Sequence, residues 1–390
     1  MEQEPVRKKP GLLELLEARE KRGASDAELV ELTRKYLSKK AREQGVPIHG
    51  TFELTPLCNL DCKMCYVHLS EKQLRESGKR LLTVDEWKGI MQQAIDAGMT
   101  AVTLTGGEAL LYPEFDALYL FLQERGIEIY VKTNGLLLSD ERIRFFKEHV
   151  PTSIHVSLYG SDDETYEKVT GYRRFSQVLN AICRTKEAQL PVELMITPNR
   201  YMLRNLKELL IQVRELGVPY HIGSGLFSPR KETSRSEQND DLTLDEYIEL
   251  YKFDAELRKR MLTPTCAVAI DMDKQSQEPA YGLRCGGGRS NFAVNWKGEM
   301  TPCLMFQDIS ADLMRMGFGE AWKTVHGTVS TYPVPRECQG CMYQRLCPTC
   351  VVQHAYGAPL GHANPLFCER ARRLVTEGLY SIDLDDCKER

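Results

Sequence analysis

From Gly50 onward, short apolar runs alternate with longer stretches of helical period. Strand candidates are 50–55, 101–105, 127–132, 153–158, 192–197 and 220–225. Helix signals fill the gaps between them. Thr83 and Glu86 form a capping box ahead of a helix running to Ala97, and Ser139 caps another running to about His149. Pro113 to Arg125 stops at Gly126, and Asn205 to Leu216 stops at Gly217. Helical pieces near 162–170 and 175–188 precede the fifth strand, and Thr243 with Glu246 opens a last helix to about Met261. Strands alternating with helices predict an α/β fold with a parallel sheet and helices outside. Six such units in residues 48–262 fit a partial (β/α)6 TIM-like barrel. Barrels of this kind place their reacting groups at the carboxyl ends of the strands.

The flanks read differently. Residues 1–47 predict two amphipathic helices, Leu12–Arg22 and Ser25–Glu43, with a capping box at Ser25 and Glu28. They read as a helical extension packed on the barrel. Residues 228–242 are polar without periodicity, a surface loop at the barrel mouth. After 262 the alternation stops and cysteines become dense. Residues 263–375 form a second, cysteine-rich domain, in which Phe292 to Pro302 reads as a hairpin turning at Lys297-Gly298, and 376–390 form a tail.

Composition narrows the function classes. The chain has 390 residues, a net charge of −4 and a pI near 6.1. No basic footprint for nucleic acid is present. No apolar run approaches a membrane span, and the first residues lack the apolar core of a secretory signal. Thirteen cysteines without an export signal point to metal or redox chemistry in a reducing cytoplasm.

Two cysteine sets carry the chemistry. Cys58, Cys62 and Cys65 stand in C-x3-C-x2-C spacing directly after the first strand. Three thiolates on one loop can hold three irons of a [4Fe–4S] cluster and leave the fourth iron open to a small molecule. A zinc knuckle, or three structural thiols, is the other reading of the spacing. Cys285, Cys303, Cys338, Cys341, Cys347, Cys350 and Cys368 form the second set. A zinc ribbon would use four of these but not seven. At the strand ends, Thr105-Gly106-Gly107-Glu108 offers close backbone approach, exposed N–H groups and a carboxylate that can accept from an ammonium group. Lys132-Thr133-Asn134-Gly135 reads as an Asn-Gly turn, and Ser157 ends the fourth strand. His155, two residues earlier, reads as structural, and Cys183 and Cys387 as bystanders.

The first set, followed by Tyr66, together with Gly106-Gly107-Glu108, resembles the radical S-adenosylmethionine (SAM) superfamily. The second set resembles its SPASM extension, including Gly298 four residues before Cys303. Three departures stand out: Met64 replaces the usual aromatic residue, Ala109 the usual proline, and the Cys347–Cys350 interval is one residue short. The resemblance implies that Cys58, Cys62 and Cys65 hold a [4Fe–4S] cluster whose open iron binds SAM. Met64, Tyr66, Thr105, Gly106, Gly107, Glu108, Asn134 and Ser157 would line the SAM site. Two auxiliary [4Fe–4S] clusters would follow. One would use Cys338, Cys341, Cys347 and Cys368, and the other Cys285, Cys303 and Cys350, with Cys266 or an open position as its fourth ligand.

By the same resemblance, the expected activity is reductive cleavage of SAM and oxidative modification of a ribosomally made precursor peptide, as a crosslink or thioether. An external flavodoxin- or ferredoxin-type donor would supply electrons. A formylglycine-generating maturase of the sulfatase type is the alternative substrate reading. A non-catalytic iron–sulfur or zinc-binding interaction protein is the alternative of another class.

Overall fold

The six parallel strands predicted from the alternation form one sheet. They are β1 (His49–Glu53), β2 (Ala101–Thr105), β3 (Glu128–Thr133), β4 (Ser153–Ser157), β5 (Val192–Ile196) and β6 (Tyr220–Ile222). This computed structural model describes residues 11–21, 23–223, 225–227, 230, 240–253, 285–333, 335–338, 341–343, 350, 352 and 361–380. Cys266, Cys347, Cys387 and most of the 228–242 loop lie outside the described residues.

Helices connect the strands. Before β1 come α1 (Leu12–Glu20) and α2 (Asp26–Gln44). α3 (Glu71–Glu76) and α4 (Val84–Asp96) follow β1, and α5 (Phe115–Gln123) follows β2. Next are α6 (Asp140–Glu148), α7 (Asp163–Thr170), α8 (Phe175–Glu187) and α9 (Leu206–Leu216), then α10 (Leu244–Phe253). The expected capping boxes form: Ser25 with Glu28 opens α2, and Thr83 with Glu86 opens α4. α2 reaches the start of β3 through Arg34, whose Nη2 donates to Glu128 Oε1 at 3.2 Å. Among the described residues, no helix is long and apolar enough to cross a membrane.

The predicted hairpin is β7 (Asn291–Val294) and β8 (Glu299–Thr301), followed by β9 (Ala311–Asp312), α11 (Leu313–Ser330) and α12 (Pro365–Thr376). It is continuous with the barrel sheet. β7 pairs parallel to β1, so the order is β6-β5-β4-β3-β2-β1-β7-β8-β9. The reason is aromatic packing. Phe52 on β1 meets Trp87 and Phe292 edge-on, each with centroids 5.8 Å apart. Phe292 in turn meets Phe318 at 5.0 Å and Trp322 at 6.2 Å. Phe52 and Phe292 are 0% and 1% exposed, and each stabilises the junction by about 1.5–3 kcal/mol through burial.

The two faces of the six-stranded part differ in character. One carries Leu104, Val131, Val156, Leu194 and Ile222, all buried in the helix-covered core. The other carries polar side chains and is half-open, as the alternating burial of β3 and β5 shows. Parallel sheets are ordinarily covered on both faces, so a polar, half-open face marks a lumen.

Candidate functional site

The loop after β1 is held in place by backbone bonds to its surroundings. Asp61 and Lys63 N–H groups donate to Thr170 and Val169 carbonyls at the end of α7, at 3.0 and 2.9 Å. Cys58, Cys62 and Cys65 lie on this loop, half-buried, and no disulfide joins the described cysteines. Donors point at the sulfurs: Leu60 N–H reaches Cys58 Sγ at 3.4 Å, Asn134 Nδ2 reaches it at 3.7 Å, and His68 N–H reaches Cys65 Sγ at 3.3 Å. Such donors favour thiolate sulfur. Burial nevertheless pushes the Cys58 thiol up to about 12, so the thiolate needs a cationic partner. An iron–sulfur cluster supplies that charge, and the donor set fits one.

Gly106 and Gly107 lie against this loop. The Gly107 N–H donates to Thr55 O at 2.7 Å and the Glu108 N–H to Leu57 O at 2.9 Å. A Cβ on Gly107 would fall 2.3 Å from Leu57 O, and one on Gly106 would fall 2.6 Å from Thr55 O. The glycines are therefore needed for close approach, as expected, but two of the N–H groups read as exposed hold the cysteine loop instead. Thr105, 9% exposed, ends β2 ahead of them.

Glu108 is turned inward and 1% exposed. Its Oε2 accepts from the Asn134 N–H at 2.7 Å and its Oε1 from the Leu110 N–H at 3.1 Å. The carboxylate thus ties the turn after β2 to the end of β3. Burial raises its pKa, against those two hydrogen bonds. Asn134 continues the link, donating from Nδ2 to Asn59 Oδ1 at 2.7 Å on the cysteine loop.

Ser157 ends β4 beside Tyr159, and its hydroxyl works against the rise of that phenol. Tyr159 was not singled out in the sequence. Its phenol is raised first by burial and then by Cys62, which places it beside the cysteine loop. Met64 is half-buried at the same loop and packs against the core. Tyr66 lies under the Arg230 guanidinium, 5.6 Å from the ring centroid. Its phenol is raised by burial and feels both Cys65 and Cys303.

The second cysteine set is partly described. Cys285 precedes β7 and Cys303 follows β8, so the antiparallel hairpin returns both to one end. A Cβ on Gly287 would lie 3.4 Å from Cys285 Sγ and 3.1 Å from Pro302 O, next to Cys303. Cys338 and Cys341 share a turn, with the Cys341 N–H donating to Cys338 O at 3.3 Å. Cys368 on α12 is raised first by burial and then by Cys341, so the helix brings it to that turn. Cys350 is half-buried, and Cys183 lies apart on α8.

Sequence reading passed over the wall of the lumen. Lys132, His155 and Glu193 are aligned across β3, β4 and β5, and Ser157, Met195 and His221 across β4, β5 and β6. His221 Nε2 meets Glu193 Oε2 at 2.7 Å. That bond is the main cause holding the Glu193 carboxyl below its usual range. Burial drops His155 to about 4. The signal available was the polar member of each alternating strand, as in Val192-Glu193-Leu194-Met195-Ile196.

Residues 52–232 match the sequence model of the Radical SAM superfamily. The AdoMet-dependent heme synthase of Methanosarcina barkeri is 24% identical over 330 residues, covering 79% of this chain and 91% of that protein. The sporulation killing factor maturation protein SkfB of Bacillus subtilis is 29% identical over 173 residues, covering 44% of this chain and 41% of SkfB. The match therefore spans less than half of SkfB. The crystal structure of Streptococcus suis SuiB bound to precursor peptide SuiA shares the fold, with a TM-score of 0.62 and 15% identity over 89% of this chain and 82% of that one.

Proposed function

We propose that this enzyme, which carries a radical SAM domain over residues 52–232, oxidatively modifies a ribosomally made precursor peptide. The observation that carries the reading is the cysteine loop. Three thiols just past the carboxyl end of β1 lie on a loop clamped by Gly106-Gly107 and by Asn134. Cys58, Cys62 and Cys65 would hold the cluster, and Gly106, Gly107, Asn134, Ser157 and Met64 would surround SAM. Bound there, the cluster and SAM would supply radical hydrogen abstraction from the substrate. The protein's part is to fix the loop, keep the site dry and orient the substrate.

The peptide reading draws on SkfB, named as a maturation protein, and on the C-terminal cysteines. Cys285 and Cys303, and separately Cys338, Cys341 and Cys368, would hold auxiliary clusters, with Cys347 and Cys350 completing them. A flavodoxin or ferredoxin in the cytoplasm would supply the electron. One observation favours a second reading: the match to the heme synthase covers far more of both chains than the match to SkfB. Under that reading the lumen takes a tetrapyrrole-sized small molecule.

Co-expression with any short open reading frame beside the gene, followed by mass spectrometry of the peptide, tests the proposal. A peptide that has lost hydrogen in crosslinked form is expected. Unmodified peptide, with turnover of a porphyrin substrate by the purified enzyme, would replace the first reading by the second.

A further inference from the structure

A peptide oxidation that joins carbon to a heteroatom must release a proton as well as a hydrogen atom and an electron. The lumen contains a pair suited to take that proton. His221 and Glu193 face each other at 2.7 Å on neighbouring strands, with side chains 48% and 30% exposed. Ser153 Oγ donates to Glu193 Oε1 at 3.1 Å, His155 and Lys132 share the Glu193 rung, and Met195 shares the His221 rung. A surface-type ion pair in the lumen of a barrel adds little stability. Its position is informative, because His221 stands level with Met195 and with Ser157, the residue that ends β4, while Glu193 sits one rung earlier.

The pair has a defined polarity. An ionised carboxylate only accepts hydrogen bonds, so Nε2 is the nitrogen that donates to Glu193 and Nδ1 is the one left to face the substrate. A carboxylate behind an imidazole holds the tautomer and stabilises the imidazolium that forms on proton uptake.

We propose that His221, backed by Glu193, is the general base of the oxidation. The inference rests on the peptide-maturation reading. A substrate C–H gives its hydrogen atom to the deoxyadenosyl carbon. A substrate thiol, hydroxyl or amide gives its proton to His221 Nδ1. The carbon–heteroatom bond forms, and the surplus electron leaves to an iron–sulfur centre of the C-terminal cysteines.

The test uses the holoenzyme with SAM, dithionite and the peptide encoded beside the gene. It compares wild type with His221→Gln, His221→Gly and Glu193→Gln. Gln at 221 keeps a donor to Glu193 and removes the base. The ratio of peptide product to 5′-deoxyadenosine is expected to fall about 100-fold in His221→Gln and about 10-fold in Glu193→Gln. Added imidazole is expected to restore product in His221→Gly, which a packing role would not allow. A wild-type ratio in His221→Gln, product and 5′-deoxyadenosine falling together, or no response to imidazole overturns the assignment. A wild type that yields no peptide product fails the maturation reading itself, and the base assignment falls with it. Product formed equally by wild type and His221→Gln fails the base assignment alone.

Discussion

Arg230 and Glu53 form a two-pronged ion pair inside the protein, Nη1 to Oε1 at 2.9 Å and Nη2 to Oε2 at 2.6 Å. Their side chains are 7% and 0% exposed. Glu53 ends β1 and Arg230 follows β6, while Arg230 Nη2 also donates to Leu304 O at 3.0 Å beside Cys303. One guanidinium thereby joins the first strand, the segment after the last barrel strand and the C-terminal cysteine region. Arg230→Met strips a buried carboxylate of this cation and is expected to cost about 3–5 kcal/mol. Adding Glu53→Gln should recover most of the loss. Denaturant unfolding of the three proteins measures both, and a single variant as stable as wild type refutes the account.

Replacing Cys58, Cys62 and Cys65 together by Ala should abolish 5′-deoxyadenosine formation under dithionite. With the two C-terminal clusters proposed above, iron should fall from about twelve to about eight per chain. Chromatography of the nucleoside and iron analysis check the two halves. Continued 5′-deoxyadenosine release would remove the loop from the chemistry.

Two glycines give opposite expectations. In Gly107→Ala the new methyl meets the Leu57 carbonyl backbone, so the cysteine loop must move, and SAM cleavage should drop at least about tenfold. Gly89 lies within α4 with nothing inside 4 Å of its Cβ position, and Gly89→Ala should stabilise by about 0.5–1 kcal/mol. Melting temperature and 5′-deoxyadenosine yield, measured on both variants, separate local clash from general damage.

Acid should destabilise the fold through His49. Burial, with the Lys132 charge adding to it, drops this ring from 6.5 to about 4. Its Nε2 shares a 2.9 Å hydrogen bond with Thr103 Oγ1. Between those two values the unfolded chain takes up a proton that the folded chain refuses. Stability is therefore complete above about pH 6.5 and declines as pH falls toward about 4. His155, also held near 4, acts in the same direction. His49→Gln should flatten part of the loss between about pH 7 and about pH 5 in urea titrations. An unchanged slope would argue against the ring as its source.

The alternating pattern alone located the six parallel strands, their helices and the hairpin turning at Lys297-Gly298. Caps such as Thr83 with Glu86 were equally legible. These features depend on neighbours within a few residues: period two, period 3.6, and side chains that satisfy nearby N–H groups. The cysteine spacings were legible for the same reason, since ligands on one loop carry their geometry in the spacing. Tertiary structure decided the rest. Phe292 packs on Phe52 and sets β7 beside β1, which makes the cysteine-rich segment part of the barrel sheet. Glu108 turns inward because Asn134, on another strand end, presents its N–H there. Glu193 and His221 become a pair only once β5 and β6 are in register. Contacts between residues far apart in the chain depend on strand register and on the fit of buried faces. No local periodicity encodes either.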